Sequence, residues 1–210
     1  MKIFKINPQN PEPALIEQAA KIILRDGVIG YPTETVYGLG ANALREPAIH
    51  NIFRLKQRDQ DKPILVIASD TEMINRIVKS IPDAALRLAD AFWPGPLTML
   101  FPAANNLPSA LLGGRSTIGI RIPDHPVCLE LLRYCGVPIT STSANISGDQ
   151  NPMSAEEVAN AFGDQLDALI DGGIATSRMP STVVDISTDP PKLIRDGVIT
   201  RQQIVTILNG

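Results

Sequence analysis

Apolar residues return at intervals of three and four between positions 13 and 26 (Leu15, Ile16, Ala19, Ala20, Ile23, Leu24). That is the spacing of a helix with one buried face, and Gly27 ends it. The same spacing predicts helices over 47–56 (Ile49, Ile52, Phe53, Leu55), 71–78, 84–92, 127–134, 155–162 and 199–208. Ser154 with Glu157 three residues on is a capping box for the helix over 155–162. Short apolar runs between these segments read as strands over 28–31, 63–68, 97–102, 168–170, 182–186 and 192–195. In 117–122, TIGIRI, the alternation is strict: Thr117, Gly119 and Arg121 share one face, and Ile118, Ile120 and Ile122 the other. Residues 7–13 and Trp93-Pro94-Gly95-Pro96 read as turns. Strands and helices interleave without repeat or linker, which predicts one α/β (α+β mixed) domain over 1–210. Several connections are too short for helical crossovers, so a mixed sheet is expected.

The stretch from Ile139 to Gly148, ITSTSANISG, breaks the pattern. It follows a helical segment and a Gly-Val-Pro turn, where a core strand belongs, yet it is filled with hydroxyls. Each buried hydroxyl needs a hydrogen-bond partner. Thr140 and Thr142 can pack their methyls against a neighbouring layer, which leaves Ser141 and Ser143 on the other face and Asn145 at the strand's end. One reading is a Ser/Thr-rich edge strand closed by an Asx or ST turn. The other is a surface facing the oxygens of a phosphate, a ribose or an amino acid. The lack of a second apolar row favours the latter.

Three further places carry polar residues that are poor filler. PTETVYGLG, residues 32–40, follows a buried strand, so Thr33 sits at a strand's carboxyl end, where open sheets bind ligands. Gly38 and Gly40 allow a sharp turn or close approach of backbone to a ligand, although a purely structural loop has the same composition. FRLKQRDQDKP, residues 53–63, is either a solvated charge run or, if the helix frays near Leu55, a clamp in which Lys56 and Arg58 face one side. Arg121 is the one charge in its strand, on a face whose Gly119 offers a bare floor for a ligand. Arg195 in KLIRDG is similarly placed. Asp124 and Asp196 are the alternative partners of these two arginines, and Ser181 is either a cleft hydroxyl or a strand cap.

Composition narrows the chemistry. The net charge of -3, from 19 Lys+Arg and 22 Asp+Glu, gives no long-range pull on nucleic acid. Cys128 and Cys135 stand on one predicted helix and read as reduced thiols. No secretion signal opens the chain, and the apolar KIILRDGVIGY is too short and too charged to span a bilayer, so a soluble cytoplasmic protein with no membrane partner is expected. HExxH, a close His/Cys cluster and GxSxG are absent, which argues against a zinc site or a serine hydrolase. Cations and hydroxyls without a protein nucleophile fit a phosphate-rich substrate attacked by a second bound substrate.

PTETVYGLG, LKQR followed by DKP, WPGPLT, TIGIRIPDHP, STSANISG, STVVDI and LIRDG together resemble the YrdC-like threonylcarbamoyl-adenylate synthases, in that family's order and over nearly the whole chain. The resemblance implies a twisted, mostly mixed sheet flanked by helices around a deep, positively lined cleft. It implies condensation of L-threonine, bicarbonate and ATP to threonylcarbamoyl-adenylate with release of pyrophosphate. A tRNA-modifying transferase complex would then carry the group to adenosine 37. The family's K-x-R matches Lys56 and Arg58, which would hold the phosphates, and its S-x-N matches Ser143 and Asn145. Thr33, Arg121, Ser141 and Ser181 would form the threonine pocket, with Arg121 on the carboxylate. Thr117, Ser143, Asn151 and Arg195 would lie along the nucleotide. Mg²⁺ would be held mainly by the ATP phosphates. Many relatives have proline after K-x-R, where this chain has Asp59, which should point outward. The alternative is an RNA-binding or ribosome-associated module of the same fold without synthase activity; with aromatics at 4% of the chain, stacking residues beside the basic ones are scarce.

Overall fold

A computed structural model describes residues 1–177 and 179–209. Its strands form two mixed sheets. The first has the order β1 (Lys2–Lys5), β9 (Ala168–Asp171), β2 (Ile29–Tyr31), β3 (Gly38–Gly40), β8 (Thr142–Ser143). Here β1 and β2 flank β9 in parallel, and β3 is antiparallel to both its neighbours. The second has the order β11 (Lys192–Arg195), β10 (Thr182–Asp185), β5 (Leu97–Pro102), β6 (Thr117–Arg121), β4 (Val66–Ile67), β7 (Ile139–Thr140). In it β10 is parallel to β5 and β4 to β6, while the other pairs are antiparallel. Mixed pairing follows from connections too short for crossovers. The division into two sheets has no local signature.

The two helices whose faces periodicity assigned bury most of those positions; Leu24, beyond the end of the first, is exposed. α1 (Pro13–Ile23) opens on a proline whose missing N–H costs nothing in a first turn, and it buries Ile16, Ala19, Ala20 and Ile23. It stops short of the expected residue 26, because Asp26 turns left-handed at φ 64 and Gly27 N–H closes on Ile22 O. α2 (Glu46–Lys56) does not fray at Leu55. It runs to Lys56, Gln57 takes φ 50, and Arg58 N–H closes on Phe53 O at 3.0 Å, a Schellman ending. α3 (Thr71–Asn75) is shorter than expected and is capped by Asp70; α4 (Asp83–Phe92) and α6 (Pro126–Cys135) lie close to their expected bounds. α5 (Ser109–Leu112) was not legible as a helix. α7 (Ala155–Phe162) carries its cap, with Glu157 N–H donating to Ser154 Oγ, while the Glu157 carboxylate accepts from Met153 N–H rather than Ser154 N–H. α8 (Arg201–Asn209) starts after Thr200, which exchanges hydrogen bonds with Gln203. α1 packs on α6, and α4 on α8.

Two strands were unexpected. β1 is largely exposed except for Phe4 and pairs with residues far along the chain. β3 contains the glycines of PTETVYGLG, and packing explains them. A Cβ on Gly40 would sit 2.9 Å from the Tyr31 ring, and one on Gly38 3.1 Å from it. The glycines therefore make room for Tyr31, which is fully buried, rather than for a turn. Cys128 and Cys135 are buried free thiols, and burial raises the pKa of both, that of Cys135 to about 12. No helix among the described residues is long and apolar enough to cross a membrane.

Candidate active site

The hydroxyl stretch passes from one sheet to the other. Ile139 and Thr140 pair with Ile67 and Val66 of β4, whereas Thr142 and Ser143 pair with Leu39 and Gly38 of β3. Ser141 lies at the crossing, its N–H donated to Leu65 O at 2.7 Å. Thr140 is structural: its hydroxyl donates to Leu39 O at 3.1 Å and accepts from Ala41 N–H at 2.9 Å, closing the seam between the sheets. Ser141 and Ser143 line a cavity, and so does Thr142, which was expected to turn away.

That cavity has a volume of about 200 Å³ for water-sized occupants. The loop after β2 contributes Thr33, Thr35 and Tyr37 to its wall, and the segment after α2 contributes Arg58 and Pro63. The second sheet supplies Thr98, Arg121 and Arg195, and the residues just before β4 and β10 supply Leu65 and Ser181; Asn151 completes the rim. Eight predicted site residues thus meet at one cavity: Thr33, Arg58, Arg121, Ser141, Ser143, Asn151, Ser181 and Arg195.

Each arginine is held differently. Arg121 is 5% exposed, donates to Thr35 Oγ1 at 3.1 Å and has its Nη2 3.5 Å from Glu34 Oε2. Its partner is Glu34, not Asp124. Arg195 donates to Ser181 O at 2.8 Å and to Ser181 Oγ at 3.2 Å, not to Asp196. Burial, then the nearby charge of Arg121, lowers the Arg195 pKa. Arg58 donates to Pro63 O at 3.0 Å; burial lowers its pKa against the pull of Asp59 and Asp61. Asp59 points outward and pairs with Lys62 at 2.7 Å.

Three predicted residues do not line the cavity. Lys56, 1% exposed, is turned into the loop that follows the crossing, where its ammonium donates to Ser143 O, to Asn145 O at 2.6 Å and to Asn145 Oδ1 at 3.2 Å. Burial, and then the charge of Arg58, brings it down to about 7. Asn145 is the hub of that loop, accepting from Ser143 Oγ at 2.6 Å and donating to Asp149 O at 2.6 Å. Lys56 and Arg58 therefore do not form one open clamp in this structure; Arg58 alone reaches the wall. Thr117 stands four residues from Arg121 on the same strand face, roughly 13 Å away at strand spacing.

The bare floor at Gly119 is covered as well. A Cβ there would lie 2.3 Å from Leu65 Cδ2 and 3.0 Å from Leu100 Cδ2, so Leu65 fills the space and forms part of the wall. Gly119→Ala should cost about 1–3 kcal/mol through overpacking. The expected reading is a lower urea midpoint with an unchanged slope; an unshifted midpoint would mean that Leu65 has another rotamer to take.

Sequence reasoning passed over four residues. Thr35 bonds both Thr33, at 2.9 Å, and Arg121. Thr98 bonds Ser181 Oγ at 2.8 Å; a lone hydroxyl inside the apolar run LTMLFP was the available signal. Glu34 is the carboxylate behind Arg121. His125 has a buried Nδ1 with no hydrogen-bond partner among the described residues, and burial together with Arg121 lowers its pKa to about 4, so it is neutral at pH 7. Among the described residues, no carboxylate lines the wall.

Comparison with known proteins adds the following. The family model Sua5_yciO_yrdC, described as telomere recombination, matches residues 21–197. A threonylcarbamoyl-AMP synthase of Pyrococcus abyssi is 40% identical over 92% of this chain and 57% of its own length. One of Bacillus subtilis is 39% identical over 92% and 56%. The chain thus spans a little over half the length of these two relatives. The crystal structure of P. abyssi Sua5 complexed with L-threonine superposes with a TM-score of 0.96 at 38% identity, over 99% of this chain and 61% of that one. E. coli YciO superposes with a TM-score of 0.89 at 31% identity, over 97% and 100%.

Proposed function

The chain belongs to the Sua5/YciO/YrdC family, and from that premise we propose that residues 1–210 act as a single domain that makes threonylcarbamoyl-adenylate from L-threonine, bicarbonate and ATP. The observation that carries this reading is the cavity wall itself: its described residues supply three guanidiniums and a ring of hydroxyls, with no activated nucleophile among them. Such a wall orients and neutralises; it does not form a covalent intermediate. The L-threonine bound by the P. abyssi Sua5 structure supports the amino-acid half.

In this reading the threonine carboxylate meets Arg121, and Thr33, Ser141 and Ser181 surround the amino acid. Arg58 and Arg195 face the nucleotide with Ser143 and Asn151, and Thr117 lies further along it. Lys56 acts with Asn145 by fixing the backbone of Ser143 and its loop, and it can turn its charge to the triphosphate. The threonine amine attacks the bicarbonate carbon, forming an N–C bond and expelling the elements of water. A carbamate oxygen then attacks the α-phosphorus, the bond to the β-phosphate oxygen breaks, and pyrophosphate leaves. Mg²⁺ would supply charge neutralisation on the triphosphate and would enter and leave with it. A transferase complex acting on tRNA would consume the product.

Purified protein should release pyrophosphate from ATP only when both L-threonine and bicarbonate are present. Release that ignores L-threonine, or a folded protein that binds RNA and never cleaves ATP, would overturn the assignment in favour of an RNA-binding module.

A further inference from the structure

The three arginines that line the cavity among the described residues are not equivalent. Arg121 has a carboxylate beside it, Glu34 at 3.5 Å, with the two side chains 6% and 17% exposed. Among the described residues, Arg58 and Arg195 form no ion pair; they bond only to backbone carbonyls and the Ser181 hydroxyl. Glu34 is not part of the cavity wall. Both its carboxylate oxygens are buried and, among the described residues, neither accepts a hydrogen bond. A buried carboxylate left without donors costs stability and calls for a reason. Its distance from Nη2 is too long for a good hydrogen bond, so the guanidinium keeps donors to spare beyond the one given to Thr35.

Building on the synthase reading, we propose that Glu34 is a specificity residue that reserves Arg121 for a zwitterionic amino acid and closes that end of the cavity to phosphate. Glu34 cancels the net charge of Arg121 while leaving its directional donors free. An amino acid brings no net charge, so it loses little by meeting a neutral pair, and its carboxylate gains the guanidinium's hydrogen bonds. A polyphosphate is drawn by net charge, and the unpaired Arg58 and Arg195 remain its attractive end. Without Glu34 the three cations would form one continuous field, and a triphosphate could slide into the amino-acid site. Discrimination of this kind works by making the wrong ligand's place unattractive.

The test is equilibrium binding by calorimetry, with L-threonine and inorganic pyrophosphate as probes. In the unmodified protein, pyrophosphate should bind with the same affinity whether or not L-threonine saturates the protein. Glu34→Gln should bind pyrophosphate about tenfold tighter, and L-threonine and pyrophosphate should now compete. Glu34→Asp, which keeps the charge, should behave as the unmodified protein. Competition in the unmodified protein, or an unchanged preference in a folded Glu34→Gln, would overturn the proposal; the first arm needs no variant and stands if Glu34→Gln does not fold. Failure of L-threonine to bind the unmodified protein would overturn the synthase reading instead. The gain in pyrophosphate affinity would still decide the role of Glu34.

Discussion

Arg121→Met is expected to destabilise the protein by about 3–5 kcal/mol, because it removes one member of a buried ion pair and leaves the other charged and alone. Glu34 is 17% exposed and, among the described residues, its carboxylate oxygens accept no hydrogen bond, so little there can compensate. Arg121→Met/Glu34→Met should recover most of that loss, since a well-packed apolar pair often replaces a buried ion pair at no cost. Recovery of stability should not bring back activity. The double variant should still lose about a hundredfold or more in kcat/KM for L-threonine, the scale of a lost buried charge contact. Denaturant unfolding and steady-state rates on the same preparations separate the two effects. An Arg121→Met protein as stable as its parent would show that Glu34 is not held as an anion in the fold.

Lys56→Met should be the second large effect. It leaves Ser143 O, Asn145 O and Asn145 Oδ1 without the ammonium that they share. Each buried oxygen that stays unsatisfied costs about 1–3 kcal/mol, and the loop carrying Ser143 loses its anchor. Pyrophosphate release should fall by roughly 10²–10³, the usual scale for removing one charge-stabilising group from a site. The lowered pKa of Lys56, about 7 in the fold against 10.5 for the ordinary side chain, has a definite sign. Between those values the unfolded chain holds a proton that the folded one has released, so this residue makes stability rise with pH across that window. Below about 7 both states are protonated and the contribution is flat. A triphosphate near Lys56 favours the charged form, so ATP binding at pH 8 should take up most of a proton. Calorimetry in buffers of different ionisation heats reads this directly; a heat independent of buffer would mean that Lys56 is already charged before ATP arrives.

The sequence showed the helices and the candidate residues better than it showed how those residues are held. Periodicity exposed the buried faces of α1 and α7 because each repeats within a single element. β1 stayed hidden because KIFK is short, mostly exposed and paired with β9 more than 160 residues away. β3 was hidden because its two glycines, which read as loop, answer to the Tyr31 ring from the neighbouring strand. Eight of the nominated side chains meet at the cavity, yet the partner of Arg121 was sought at Asp124, close in sequence, and lies at Glu34 on another element. Lys56 was nominated for an open clamp, but the left-handed Gln57 ends its helix and the acceptors at Ser143 and Asn145 draw it inward. Contacts of this reach depend on the assembled sheets and leave no trace in a local pattern.

The seam at Ser141 also limits how this stretch can vary over evolution. Thr140 is fixed opposite Val66 in one sheet and Thr142 opposite Leu39 in the other, with a single residue between them. Side chains there can be exchanged for others that satisfy the same partners. A single insertion or deletion cannot be absorbed so easily, because a slip of one position turns every following side chain to the opposite face of its sheet. Loops elsewhere in the chain are free to lengthen, but this crossing has a fixed length, and spacing is what descent must preserve there even where the letters drift.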